Sequence, residues 1–177
     1  MGKRVFFLLV LAAATPIYAL TGSQLAAAAA KQVGVTRVYD PSYVQLRYPG
    51  GDVPLERGVC ADVIVRAFRE IGVDLQRELH EDMRANFRLY PRMWGLAAPD
   101  TNIDHRRVPN LMKFFERRGK TTRQPFVAGD VVAWRLPGGL YHIGIVADPP
   151  YVIHNIGSGA RREDILFAYP IIGHYRW

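Results

Sequence analysis

Val131-Val132-Ala133-Trp134-Arg135-Leu136, Tyr141-His142-Ile143-Gly144-Ile145-Val146-Ala147 and Tyr151-Val152-Ile153-His154-Asn155-Ile156 are three short β-rich runs set close together in the last third of the chain. Pro137-Gly138-Gly139 and Asp148-Pro149-Pro150 separate them, and Gly157-Ser158-Gly159 follows the third. Branched and aromatic residues bounded by such turn chemistry predict strands in hairpins. A fourth run, Ile171 to Tyr175, closes the set. Upstream the period changes. Val63, Ile64, Ala67, Phe68 and Ile71 recur at helical spacing over Cys60 to Ile71, with Gly72 placed to end the helix. Ser23 caps a helix over Gln24 to Gln32, another is predicted from Leu75 through Phe87, and a further one starts at Pro109 and closes before Gly119. Asp40 to Gly58 reads as a loop, with a short strand near Val44 to Leu46. Helices first and an antiparallel meander after them predict an α+β domain with the helices on one sheet face.

The 177 residues suit one domain, and 49% apolar with 22% charged residues is a globular composition. Residues 1–19 stand apart. Lys3 and Arg4 precede an apolar run from Val5 to Ala14, which is shorter than the ~20 residues of a membrane span. Pro16 breaks the run and Ala19 offers a small residue for cleavage, so a signal peptide is expected at 1–19 and a single domain at 20–177. The expectation is a periplasmic monomer with no stable membrane insertion after cleavage. Loss of Lys3 and Arg4 lowers the net charge from +7 to +5, a surplus suited to an anionic polymer such as the cell wall. No nucleic-acid motif accompanies it.

Cys60 is the only cysteine. In an oxidising compartment cysteines are usually paired or absent, so a lone thiol is inert and buried, an intermolecular linker, or reactive. Its place in the first turn of a helix sets it beside the positive end of the helix dipole, with Arg57 three residues earlier. Both features favour the thiolate and predict a depressed pKa. A thiol nucleophile needs a base, and His142, opening a strand after a turn, is the candidate. The third member depends on register. With Pro149 as pivot, Gly144 faces His154, and His142 and His154 form a diagonal pair. A shift of one residue puts Asn155 on that face instead.

Gly129-Asp130-Val131-Val132-Ala133-Trp134, His142-Ile143-Gly144-Ile145-Val146 and Val152-Ile153-His154, preceded by Cys60 at a helix start, resemble the pattern of papain-like NlpC-type and CHAP cysteine hydrolases. More narrowly, His80-Glu81-Asp82-Met83, the segment from Asn102 to Leu111, His154-Asn155-Ile156-Gly157 and Gly173-His174-Tyr175-Arg176 resemble an exported bacterial family catalogued as domain of unknown function 1287. The resemblance runs from about Ala26 to Trp177. It implies a papain-like NlpC-type fold, a peptidoglycan peptide as substrate, and an endopeptidase or amidase acting through Cys60, His142 and His154 or Asn155, without a cofactor. Acyl transfer to a lipid or amine on the same fold, and wall binding without catalysis, are the alternatives. NlpC-type enzymes usually carry Asp-Cys-Ser-Gly at the nucleophile, where this chain has Val59-Cys60-Ala61-Asp62.

Asp62 either complements the helix N-terminus or binds an amine on the substrate. Asp104, His105, Arg106 and Arg107 crowd one loop, and arginine suits bidentate binding of carboxylates, which muropeptides carry. These five are the expected substrate-binding residues. His80 and Asp82, two apart on a helix, face different ways, so no metal site is expected with Asp104 and His105.

Overall fold

A computed structural model describes residues 22–177, and the expected leader at 1–19 lies outside the described residues. Four helices come first: α1 (Gly22–Ala30), α2 (Cys60–Glu70), α3 (Leu75–Asn86) and α4 (Val108–Arg117). A two-residue parallel ladder, β1 (Val38–Tyr39) with β2 (Arg57–Gly58), lies between α1 and α2. The main sheet follows, with β3 (Val131–Arg135), β4 (Tyr141–Asp148), β5 (Tyr151–His154), β6 (Arg161–Asp164) and β7 (Ile171–Tyr175) in the antiparallel order β6-β5-β4-β3-β7. The domain is α+β, with helices on an antiparallel meander.

Alternation along the strands divides the core. Val131, Ala133, Ile143, Ile145 and Ile153 face the helices and meet Val63, Ile64, Phe68, Leu111 and Phe115. Val132, Trp134, Val146 and Val152 face the other way, under Leu166 and Phe126. Burial of both faces explains why the strands read as continuous apolar runs rather than as alternating ones.

One sequence expectation needs correction, and one strand had no signal in the sequence. The stretch around Val44 to Leu46 forms no strand, and the extended pairing in this region is β1 with β2. The segment Arg161-Arg162-Glu163-Asp164 forms an edge strand on β5 that four consecutive charged residues conceal. The long loop that holds no strand is ordered by side chains instead. Arg66 of α2 donates to both Asp52 oxygens and to the carbonyls of Val53, Pro54, Leu55 and Arg57, which fastens the loop along the helix.

The β4–β5 register is the one with Pro149 as pivot: Ile145 opposes Ile153 and Val146 opposes Val152, with a shift before Asp148. Its continuation sets Gly144 against His154. A Cβ on Gly144 would lie 2.6 Å from Val152 Cγ1, 3.0 Å from the Ile153 carbonyl oxygen and 3.2 Å from His154 Cβ. Gly144→Ala should therefore destabilise the domain by about 1–3 kcal/mol, the usual cost of overpacking. Denaturant unfolding of the variant beside wild type measures this.

Candidate active site

Three segments hold the first turn of α2. The Asp62 carboxylate folds back to accept from the Val59 N–H at 2.6 Å. Gly58 permits this approach, because a Cβ there would lie 2.9 Å from Asp62 Oδ2. From the sheet side, Asn155 Nδ2 donates to the Gly58 carbonyl at 2.9 Å. From the loop before α4, Arg106 grips Asp62 in a fork, Nε to Oδ1 at 2.8 Å and Nη2 to Oδ2 at 3.0 Å. The same guanidinium donates to the carbonyls of Ser42 and Asp40.

The thiol of Cys60 is buried, with the residue 4% exposed. It sits where a strand runs out. Val146 N–H bonds Asp130 on the β3 side, so by the two-residue alternation of an antiparallel ladder the Ile143 N–H points to the β5 side. There β5 ends at His154, and the Cys60 sulfur takes the Ile143 N–H as its hydrogen-bond partner. The thiol thus lies against the backbone of the residue that follows His142.

His142 lies on the Trp134 face of the sheet, stacked on the indole at 5.6 Å between centroids. Its Nε2 is 2.9 Å from His154 Nδ1, with the rings nearly perpendicular. This bond leaves His142 Nδ1 as the nitrogen open to a proton. His154 Nε2 in turn lies 2.9 Å from Glu163 Oε2 without the alignment of a hydrogen bond, so the carboxylate acts on the ring through its charge. His154 is the member beside His142, and Asn155 is committed to Gly58 and to the Gly157 N–H.

The expected depression of the Cys60 pKa does not follow from this environment. Burial pushes the thiol up to about 12 and the Asp62 charge adds to the rise, against the opposing N–H groups of Ile143, Ala61 and Cys60 itself. Burial, with a smaller push from His154, lowers His142 to about 3. Burial also lowers His154, against the upward pull of Glu163. Thiol and imidazoles are therefore neutral at rest, and no hydrogen bond joins Cys60 to His142 among the described residues.

A cleft of about 440 Å³ opens over Val59 and Cys60, walled by Tyr39, Tyr43, Trp94, Ile103, Pro109 and Tyr141. Arg106 and Arg107 also reach its lining. The substrate clamp expected from Asp62, Asp104, His105 and Arg106 is corrected by their burial. Asp62 and Arg106 satisfy each other. Asp104 accepts from the Asp100 N–H, Arg107 and Asn110. His105 is buried, and that burial lowers it to about 4. Arg107 alone keeps a position suited to recognition, its guanidinium 4.2 Å over the Trp94 ring at the cleft. Among the described residues, no group of three or more His, Cys, Asp or Glu side chains could hold a metal ion.

Comparison with known proteins places this geometry. The family described as domain of unknown function (DUF1287) matches residues 26–177. The chain belongs to this family. A relative in Escherichia coli (strain K12), described as uncharacterized protein YijF, is 55% identical over 172 residues, covering 91% of this chain and 84% of its own. The solved structure of NlpC1 from Trichomonas vaginalis shares the fold at a TM-score of 0.51 and 14% identity, covering 88% of this chain. The chain spans 44% of that structure. Trp134, Glu163 and the aromatic cleft wall escape the sequence reading. Of these, only Trp134 carried a sequence signal, as the residue opposite His142 in the β3–β4 ladder.

Two outcomes follow from this geometry. Arg106→Ala should cost about 3–5 kcal/mol in denaturant unfolding, because it strands the buried Asp62 charge, whereas Arg107→Ala should cost less, about 1–3 kcal/mol, because Asp104 loses one charged donor but keeps the Asp100 N–H and Asn110. Because the pKa of Cys60 is raised, its thiolate fraction near pH 7 lies below that of a free thiol. Its iodoacetamide alkylation should be slower there than that of free cysteine, and should keep climbing past pH ~9, where free cysteine levels off.

Proposed function

We propose that this protein is an exported cysteine hydrolase that cleaves an amide bond in peptidoglycan peptides, as endopeptidase or amidase. The carrying observation is the His142–His154 bond, which leaves His142 Nδ1 free in a ring directly joined to the peptide that the Cys60 sulfur touches. The NlpC-type fold supports the reaction class, and the signal-like segment at 1–19 and the positive charge support export and an anionic polymer.

The chemistry is acyl transfer. The Cys60 sulfur attacks the scissile carbonyl carbon while its proton passes to His142 Nδ1. Because thiol and imidazole are both neutral at rest, proton transfer accompanies the attack instead of preceding it. Backbone N–H groups at the start of α2 stabilise the oxyanion. His142 then gives the proton to the departing amine as the C–N bond breaks. Water, deprotonated by the same ring, cleaves the thioester and restores the thiol.

The cleft wall favours a second reading. Acyl transfer to a lipid or amine calls for an apolar groove, and aliphatic and aromatic side chains together make up most of this one, with Arg106 and Arg107 also in its lining. Mass spectrometry of purified muropeptides incubated with the protein decides between them. Hydrolysis should give fragments that have gained one water, lost with Cys60→Ala and His142→Ala. Fragments that have instead gained an added amine or alcohol acceptor would establish transfer. Binding to sacculi without any product, unchanged by Cys60→Ala, would overturn both.

A further inference from the structure

We infer that Glu163 is a positioning residue of the active site, which sets the protonated nitrogen of His154 and through it that of His142. The inference rests on the proposed role of His142 as base.

Three observations on the sheet edge carry it. Of the four residues in β6, Arg161, Arg162 and Asp164 are exposed, and Glu163 alone is partly withdrawn. Charged residues on an edge strand ordinarily keep the edge soluble and face water. Glu163 instead opposes Val152 in the β5–β6 ladder, which places it diagonally across from His154 on the same face. Its Oε2 then lies 2.9 Å from the Nε2 of an imidazole whose side chain is fully buried. The carboxylate itself is 39% exposed and has no other ion-pair partner among the described residues. A surface pair of this kind contributes little stability. Its consequence lies in the ring it faces.

The order of protons follows from donor and acceptor counting. A neutral imidazole has one N–H and one lone pair. The Glu163 charge lies 2.9 Å from Nε2 without the alignment of a hydrogen bond, and a negative charge there favours the tautomer that carries the proton on Nε2, so His154 holds its N–H on that nitrogen. Its Nδ1 is then a lone pair, and the 2.9 Å bond to His142 requires His142 Nε2 to be the donor. The only lone pair left on His142 is on Nδ1, the nitrogen that must take the thiol proton. Reversing the chain puts the His142 proton on Nδ1, where the ring cannot act as base. Room for the two rings to meet comes from Gly144, whose Cβ would crowd His154. When His142 gains its second proton, the Glu163 charge also stabilises the imidazolium through His154.

The test reads the tautomers directly. In the full chain labelled with 15N-histidine, long-range 1H–15N correlation near neutral pH should show His142 and His154 as Nε2–H forms. In Glu163→Leu, His154 should become a mixture and a His142 Nδ1–H population should appear. Muropeptide turnover should fall at least tenfold in kcat with KM within about twofold. Glu163→Asp, which keeps the charge, should restore more of the tautomers and of kcat than Glu163→Gln, which keeps only a neutral acceptor. Thermal unfolding checks that each variant is folded. If Glu163→Leu fails to fold, Glu163→Ala takes its place with the same expected loss. Unchanged tautomers in the folded variant overturn the inference, whatever the turnover. Shifted tautomers with no turnover in wild type would leave the Glu163 role standing and remove the proposed function instead.

Discussion

The buried pair of Asp62 and Arg106 is the constraint on which the site depends. Asp62 joins Arg106 to the Val59 N–H, and Arg106 joins Asp62 to the carbonyls of Asp40 and Ser42. One carboxylate thus fixes the first turn of α2, the loop that carries Tyr39 and Tyr43 to the cleft, and the turn before α4. Neither charge is in water, so their desolvation is tolerable only because the fork is complete and the remaining donors find carbonyls. The NlpC-type Asp-Cys-Ser-Gly pattern places an acid before the nucleophile, and here an acid two residues after it does structural work.

The elements with a clear period were legible: the stripe of α2, the turn-bounded strands β3 to β5 and β7, and the Pro149 pivot that makes His142 and His154 a diagonal pair. Periodicity could not show β6, because a charged edge strand has no apolar face, nor could it show that the 40–58 loop is ordered by Arg66 instead of by a strand. The clamp expected of Arg106 failed for a related reason. Two adjacent arginines look alike in sequence and each meets a buried carboxylate, yet only the fold decides that Arg106 is forked onto Asp62 while Arg107 pairs with Asp104 and also lies over Trp94 at the cleft.

The thiol shows how local and tertiary effects compete. A helix N-terminus acts over one turn and is worth about 0.3–1 kcal/mol, roughly half a pKa unit at 1.36 kcal/mol per unit. Burial in a site walled by Val59, the sheet and aromatic side chains acts on the whole charge, and Asp62 two residues away repels it. Helix position is visible in the sequence and burial is not, so the depressed pKa expected at a helix start gives way to a raised one in the resting site.

That sign shapes the chemistry. A preformed thiolate would need a cation beside it, and Arg106, which lines the same cleft, is neutralised by Asp62. The imidazole offers none, since burial keeps it unprotonated. What the site offers in its place is order. Ile143 N–H holds the sulfur, Trp134 holds the plane of His142, and His154 holds its Nε2. Under the proposed function, a substrate carbonyl reaching Cys60 through the cleft would meet a thiol and a neighbouring ring that are both held in place, and the charge separation that burial forbids at rest would arise only as the C–S bond forms and α2 N–H groups receive the oxyanion.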